Sequence, residues 1–314
     1  AGGKVGAITG TQADLYTTVN VVSTAASTIA DVSIDKATTL NVSGAGVTTF
    51  TANASVLVLA TVTSTGGGLS LGTALGTGVL FTGGTGVETI SIGATTKAIT
   101  MGGGNDSVTI GASALGTAGS VDAGDGTADS MTMTIANANA ASANGTFETT
   151  ISGFERLSVA AMGANAAIDL GNLDDINYVT SAGGANTMTI SNASSDFNLI
   201  QTAAATAHTV TLASSSATTD AITYKLTAAT NIAAGTLTAN AIETIAIESD
   251  DTTVANTAAH TLTLSADSVT ALTLTGDSQL TLTNTSTTLT SVDASGMTDR
   301  LIWTTGNLAA AATI

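Results

Sequence analysis

The sequence predicts an all-β chain wound as a parallel β-solenoid, of the β-roll or β-helix kind, and three observations predict it. Apolar residues alternate at period two, as in Thr38-Thr39-Leu40-Asn41-Val42 and Ala259-His260-Thr261-Leu262-Thr263-Leu264, which puts them on one face of a strand. Thr is abundant, there are 34 Gly and no Pro, so β-branched strands and flexible corners dominate over helix. A turn-to-strand pattern recurs in Gly86-Val87-Glu88-Thr89-Ile90-Ser91-Ile92, Gly153-Phe154-Glu155-Arg156-Leu157-Ser158-Val159 and Ala241-Ile242-Glu243-Thr244-Ile245-Ala246-Ile247. Each reads small-apolar-Glu-x-apolar-x-apolar, with the acid at a corner and the strand entering a stack. Repeated units of this kind bury their inner faces only against their neighbours.

Three zones follow in order. Residues 1–65 are strand-rich, residues 66–135 are glycine-rich, and residues 136–314 return to Thr-rich strands. Leu40-Asn41-Val42-Ser43-Gly44 in the first zone is echoed by Leu272-Thr273-Leu274-Thr275-Gly276 in the last, each a strand turning at a glycine. No Pro-rich or charged linker divides the zones, so they are expected to form one elongated body. The chain opens Ala1-Gly2-Gly3-Lys4 and closes in mid-pattern at Ala311-Ala312-Thr313-Ile314, as a fragment would.

Composition excludes several functions. The hydrophobic share is 43% but the aromatic share only 3%, so the expected core is layers of small aliphatic side chains. Six Lys and Arg stand against 23 Asp and Glu, a formal charge of −17, so most carboxylates lack a cationic partner. The six cations are scattered from Lys4 to Arg300, which argues against nucleic acid and against acidic membrane surfaces. With no Cys, disulfides, thiolate metal sites and a Cys nucleophile are out of reach. The longest apolar run, Ala54 to Ala60, is strand-like and too short to span a bilayer.

The glycine-rich zone carries the strongest chemical signal. Gly83-Gly84-Thr85-Gly86-Val87-Glu88-Thr89-Ile90-Ser91 fits the nonapeptide G-G-x-G-x-D-x-U-x, with Glu88 at the Asp position. Met101-Gly102-Gly103-Gly104-Asn105-Asp106-Ser107-Val108-Thr109 fits it with Met101 at the first Gly. Ala123-Gly124-Asp125-Gly126-Thr127-Ala128-Asp129-Ser130-Met131 fits with one extra residue before its acid. Glycines permit turns that aim several carbonyls at one point, and the acid adds a charged oxygen. In a β-roll, residues eighteen apart stack on one side, so Glu88 and Asp106 should share a column. The acid-free stretch Ile92 to Thr100 should form the opposite edge. Asp129 joins the column if residues near Ala114 to Val121 loop out. Two carboxylates about 5 Å apart repel by roughly 1 kcal/mol in water and about 3 kcal/mol at an effective dielectric near 20. Ca2+ relieves that repulsion with six to eight oxygen ligands, and the ligand positions predicted for it are Gly84, Gly86, Glu88, Gly102, Gly104, Asp106, Asp122, Gly124, Asp125, Gly126 and Asp129. Solvated glycine turns that bind nothing are the competing reading.

Asp174, Asp175, Glu248, Asp250, Asp251, Asp267 and Asp277 lie beside expected strand ends and read first as turn acids. Glu155 precedes Arg156, which fits a local ion pair as well as a metal. No catalytic constellation is visible. His208 and His260 each sit in a Thr-rich strand without His-Glu-x-x-His spacing, and there is neither a Gly-x-Ser-x-Gly elbow nor a phosphate-binding Gly-x-x-x-x-Gly-Lys stretch. His260 is expected at solvent or capping a strand partner. A lyase pairing Arg156 with Glu155 is thinly supported, because aromatics to stack on sugars are few.

The three glycine turns resemble repeats-in-toxin (RTX) calcium motifs. The order of Thr38 to Gly44, Leu80-Phe81-Thr82-Gly83-Gly84, Ile92 to Ile99, Gly153-Phe154-Glu155 and Leu280-Thr281-Leu282-Thr283-Asn284 resembles the assembly domain of the Caulobacter-type bacterial surface-layer (S-layer) proteins. That resemblance implies a bent, right-handed solenoid holding many calcium ions. It implies export by type I secretion and self-assembly into a two-dimensional lattice on the cell surface, with no catalytic activity. A separate domain, not recognisable in these residues, would anchor the lattice to lipopolysaccharide. A calcium-binding module of a secreted adhesin or extracellular enzyme is the alternative.

Overall fold

The computed structural model describes residues 3–5, 8–9, 16–33, 36–52, 59–215 and 219–305. Most of the apolar run singled out above, residues 54–58, lies outside them. The fold is all-β, a parallel β-solenoid. Contacts divide the chain into two compact units. The first is drawn from Ala1–Met133, Asn144–Arg156 and Leu173–Asp175, the second from Thr134–Ala143, Leu157–Asn172 and Ile176–Ile314.

In the first unit, successive strands alternate between two parallel sheets, so that each pair of strands is one coil. One sheet runs Thr18–Val22, Thr39–Gly44, Thr61–Gly66, Leu80–Thr82, Ala98–Thr100, Ser120–Asp122 and Ile151–Ser152. The other includes Thr48–Phe50, Gly68–Leu71, Val87–Ile92, Ser107–Ile110 and Ser130–Met133. Period-two alternation turns every second residue inward, and the parallel register stacks like on like. Leu40, Val62, Phe81, Ile99, Val121 and Ile151 form one ladder, all buried. Burial of each such side chain contributes about 1.5–3 kcal/mol, and a coil gains it only when a neighbour covers it. The turn after Val87–Ile92 takes residues 93–97, whereas the turn after Ser107–Ile110 takes residues 111–119. The longer turn absorbs the irregular spacing, because Ser107 still pairs with Ser130.

The second unit repeats the plan with longer strands. Tyr178–Ser181, Phe197–Gln201, Ala221–Ala228, Thr244–Asp251, Ala271–Gly276 and Ser291–Met297 lie in one sheet. Ala166–Asp169, Gly184–Ala193, Ala205–Leu212, Ala233–Thr238, Ala259–Ser265, Gln279–Asn284 and Leu301–Thr305 form the other. A seven-residue helix, Ile135–Ala141, buries Ile135, Ala138 and Ala141, and its cap Thr134 accepts a hydrogen bond from the Asn137 amide. No helix among the described residues is long and apolar enough to cross a membrane.

Both histidines lie inside this unit, so His260 does not meet solvent as one reading of the sequence expected. Its Nδ1 accepts from the Ile232 amide at 3.0 Å, which leaves Nε2–H to donate to the Asp250 carbonyl at 3.1 Å. A proline-free, β-branched strand turns alternate residues inward whatever their polarity, and two backbone partners make an inward histidine affordable. His208 is fully buried beside Ser181 Oγ, 3.2 Å from Nε2, and the Tyr224 hydroxyl, 3.4 Å from Nδ1. Tyr224 donates to Gln201 Oε1, so the shared proton with His208 sits on Nδ1. Burial holds His208 down to a pKa of about 4.

Candidate metal centre

The glycine turns line one edge of the first unit, each joining the first sheet to the second. Residues 83–86 lead into Val87–Ile92, residues 101–106 into Ser107–Ile110, residues 123–129 into Ser130–Met133, and residues 153–155 into the strand Arg156–Val159. The turns stack so closely that Gly102, Gly104, Gly124 and Gly126 each face a carbonyl of the preceding coil. A Cβ on Gly102 would stand 2.1 Å from the Gly84 carbonyl oxygen, and one on Gly124 would stand 2.0 Å from that of Gly102. Gly104 meets the carbonyl of Gly86 in the same way, and Gly126 that of Gly104. Gly102 also has φ near +100°, a conformation open chiefly to glycine. Met101 is tolerated at the first glycine position because its side chain is buried in the core, as is that of Ala123 one coil on.

Directly after these glycines the acids form a ladder. Register pairs Thr89 with Ser107 and Ser107 with Ser130, so the preceding residues Glu88, Asp106 and Asp129 occupy equivalent positions on successive coils. Each carboxylate accepts a hydrogen bond from the coil before it. Ser64 Oγ donates to Glu88 Oε1 at 2.9 Å, the Glu88 amide to Asp106 Oδ1 at 2.7 Å, and the Asp106 amide to Asp129 Oδ1 at 2.6 Å. The Asp129 amide donates to Glu155 Oε2 at 2.8 Å. Glu88 uses its extra methylene to reach Ser64, a strand residue 24 positions earlier, which accounts for a Glu where the motif has Asp.

The ladder is sealed from solvent. Glu88, Asp106 and Asp129 are 0%, 1% and 0% exposed, and their second oxygens, Glu88 Oε2, Asp106 Oδ2 and Asp129 Oδ2, are buried without a hydrogen-bond partner. A buried carboxylate with an unmet oxygen costs several kcal/mol unless it takes up a proton or a cation. Desolvation accordingly pushes Glu88 up to about 7 and Asp106 up to about 6, against the hydrogen bonds from Ser64 and the Glu88 amide, and each is raised further by the next carboxylate along. Asp129 is raised for the same reasons, with Glu155 as the neighbour.

Oxygen is the only donor element here, which suits a hard cation such as calcium. At Gly126 the space that a Cβ would fill is bounded by Asp129 Oδ2 at 2.1 Å and the Gly104 carbonyl at 2.5 Å. A carboxylate oxygen and a carbonyl oxygen therefore converge on this glycine, with no room for a side chain. At Gly83 a Cβ would likewise meet the Met101 carbonyl oxygen at 1.8 Å and Glu88 Oε2 at 3.1 Å. Among the described residues no three His, Cys, Asp or Glu side chains converge as a metal group. A cation on this edge would thus be held by one or two carboxylates, with backbone carbonyls supplying the remainder.

The other predicted ligands are placed differently. Gly84, Gly86, Gly102, Gly104, Gly124 and Gly126 lie in the stacked turns beside the ladder, where the carbonyls of Gly84 and Gly102 also accept from the Gly103 and Asp125 amides of the next coil, each at 2.7 Å. Asp122 and Asp125 do not join it. Asp122 ends a strand with its side chain exposed and accepts from Ser152 Oγ at 2.9 Å, and Asp125 is exposed in a shallow depression lined with Gly104, Asn105, Gly126 and Thr127. Two members of the ladder carried no nonapeptide signal. Ser64 stands in an ordinary strand, and Glu155 was marked only by its turn-to-strand pattern. The strand-end acids mostly serve as caps: Asp174 accepts from the Phe154 amide, Asp267 from the Ala241 amide and Asp277 from the Asp251 amide. Glu248 and Asp250 instead pair with Lys225, at 2.8 and 2.5 Å. Comparison of the chain with known protein families and with curated proteins gave no match.

Proposed function

We propose that this chain is a structural, non-enzymatic component of an extracellular surface layer, a calcium-locked β-solenoid whose copies assemble into a two-dimensional lattice. The observation that supports it most is the ladder of three buried carboxylates, each with an unpartnered oxygen, beside a stack of glycine carbonyls. Side chains built for turnover need exposure and a proton path. These acids are sealed between coils, where a bound cation would hold adjacent turns together and remove the cost of their charge. Calcium at millimolar extracellular concentration is matched to weak oxygen sites of this kind, with dissociation constants of about 10⁻⁴ to 10⁻³ M. The S-layer resemblance of the sequence adds secretion and self-assembly to this reading. The test is electron microscopy of the purified chain with calcium and with a chelator. Ordered sheets that dissolve on chelation are expected. Dispersed particles in both conditions would overturn the lattice and favour the calcium-binding module of an adhesin or enzyme.

A further inference from the structure

The second unit contains a copy of the ladder's last step, without any glycine nonapeptide. In the first unit, the Asp129 amide donates to Glu155 Oε2 at 2.8 Å, while the amides of Glu155 and Arg156 donate to the Asp129 carbonyl at 3.2 and 3.0 Å. In the second, the Asp220 amide donates to Glu243 Oε2 at 3.1 Å, while the amides of Glu243 and Thr244 donate to the Asp220 carbonyl at 3.2 and 3.0 Å. Asp220 and Glu243 directly precede the paired strand residues Ala221 and Thr244, as Asp106 and Asp129 in the ladder precede the paired Ser107 and Ser130. Asp220 is only 4% exposed, and its Oδ2 is buried without a partner. Among the described residues, the buried carboxylate oxygens lacking a partner belong to Glu88, Asp106, Asp129 and Asp220.

The unit's own basic side chains are engaged elsewhere. Lys225 binds Glu248 and Asp250, Arg300 binds Gln279 through Nε and Nη2, and His260 is fixed between the Ile232 amide and the Asp250 carbonyl. His208 faces Ser181 and Tyr224. A sealed carboxylate oxygen with no basic neighbour and only oxygen donors calls for an ion from solution.

We propose that Asp220 and Glu243 form a further divalent-cation site, of calcium type, in the second unit. It rests on the calcium reading of the glycine turns, because it extends their geometry to a place where no glycine repeat marks it. The ion would tie the coil entering Ala221–Ala228 to the coil entering Thr244–Asp251, as the first unit's ladder ties its own coils.

Calcium bound per chain, measured by equilibrium dialysis on the whole protein, separates the two claims. Asp220→Asn is expected to lose one ion relative to wild type, and Glu88→Gln/Asp106→Asn/Asp129→Asn is expected to keep that ion while losing those of the ladder. If wild type binds calcium and Asp220→Asn binds the same number, this site is overturned and the ladder stands. If wild type binds none, both are overturned. Should Asp220→Asn fail to fold, hydrogen exchange on the triple ladder variant decides. Added calcium is expected to slow the amides of Asp220, Ala221, Glu243 and Thr244 at least tenfold, and unchanged rates there would overturn the site.

Discussion

Asp129 and Asp251 are both acids at the edge of a parallel stack, yet their surroundings differ in kind. Asp251 has both oxygens satisfied by its own chain: Oδ1 accepts from the Thr253 amide and hydroxyl, Oδ2 from the amides of Thr257 and Ala258. Those donors hold its pKa down to about 2. Asp129 receives one amide, from Asp106, and its other oxygen is buried with nothing to accept from, so its pKa rises. A loop folded over a carboxylate thus makes a finished turn. A glycine turn too short to fold over leaves a carboxylate oxygen without a donor, which on the proposed reading an ion completes. The number of amide donors, more than the presence of an acid, separates a capped carboxylate from one with an unmet oxygen.

The sharpest way to break the contrast is to fill the glycine stack. Gly102→Ala combines a positive φ with a Cβ placed 2.1 Å from the Gly84 carbonyl. It is expected to cost more than about 3 kcal/mol in denaturant unfolding, with or without calcium. An unfolding midpoint within error of wild type would show that the coils are not packed as described.

The next effect is a divergence with pH in calcium-free protein. Glu88 and Asp106 have folded-state pKa values of about 7 and about 6, above their unfolded values. Their contribution is therefore present below about pH 4 and lost as pH rises through 6 to 7. His208, depressed to about 4, behaves oppositely: its contribution is full above pH 6.5 and lost as pH falls toward 4, on the order of 3 kcal/mol. Site-resolved hydrogen exchange is expected to show the first unit's glycine edge loosening at high pH and the strands around His208 loosening at low pH. Calcium should abolish the first trend and leave the second. Parallel trends in the two units would remove the distinction.

The smallest effects are expected where an acid is exposed. Asp125→Asn and Asp122→Asn should each change stability by less than about 0.5 kcal/mol and leave the calcium response intact, as read by thermal unfolding. A loss of the calcium response in either would move the site outward from the ladder.

The fold was legible because period-two alternation and an acid-marked turn are local signals that a parallel stack repeats. The ladder was partly legible. Eighteen-residue spacing placed Glu88 with Asp106, and the irregular step to Asp129 was carried by the longer turn at residues 111–119. Asp122, Asp125 and Asp129 look alike as letters. A shift of a residue or two at a strand end decides which of them turns inward, and that depends on the register with the coil before. Ser64 and Asp220 were obscured for another reason: their partners lie 24 and 23 residues away and no glycine motif surrounds them.

The central claim is that the buried ladder is a calcium site, and thermal unfolding across a calcium titration tests it most directly. With dissociation constants in the range above, a hundredfold excess adds about 2.7 kcal/mol per site. Wild type is therefore predicted to melt several degrees higher in calcium, and Glu88→Gln/Asp106→Asn/Asp129→Asn to lose most of that rise. A wild-type melting temperature unchanged by calcium at any concentration would contradict the account.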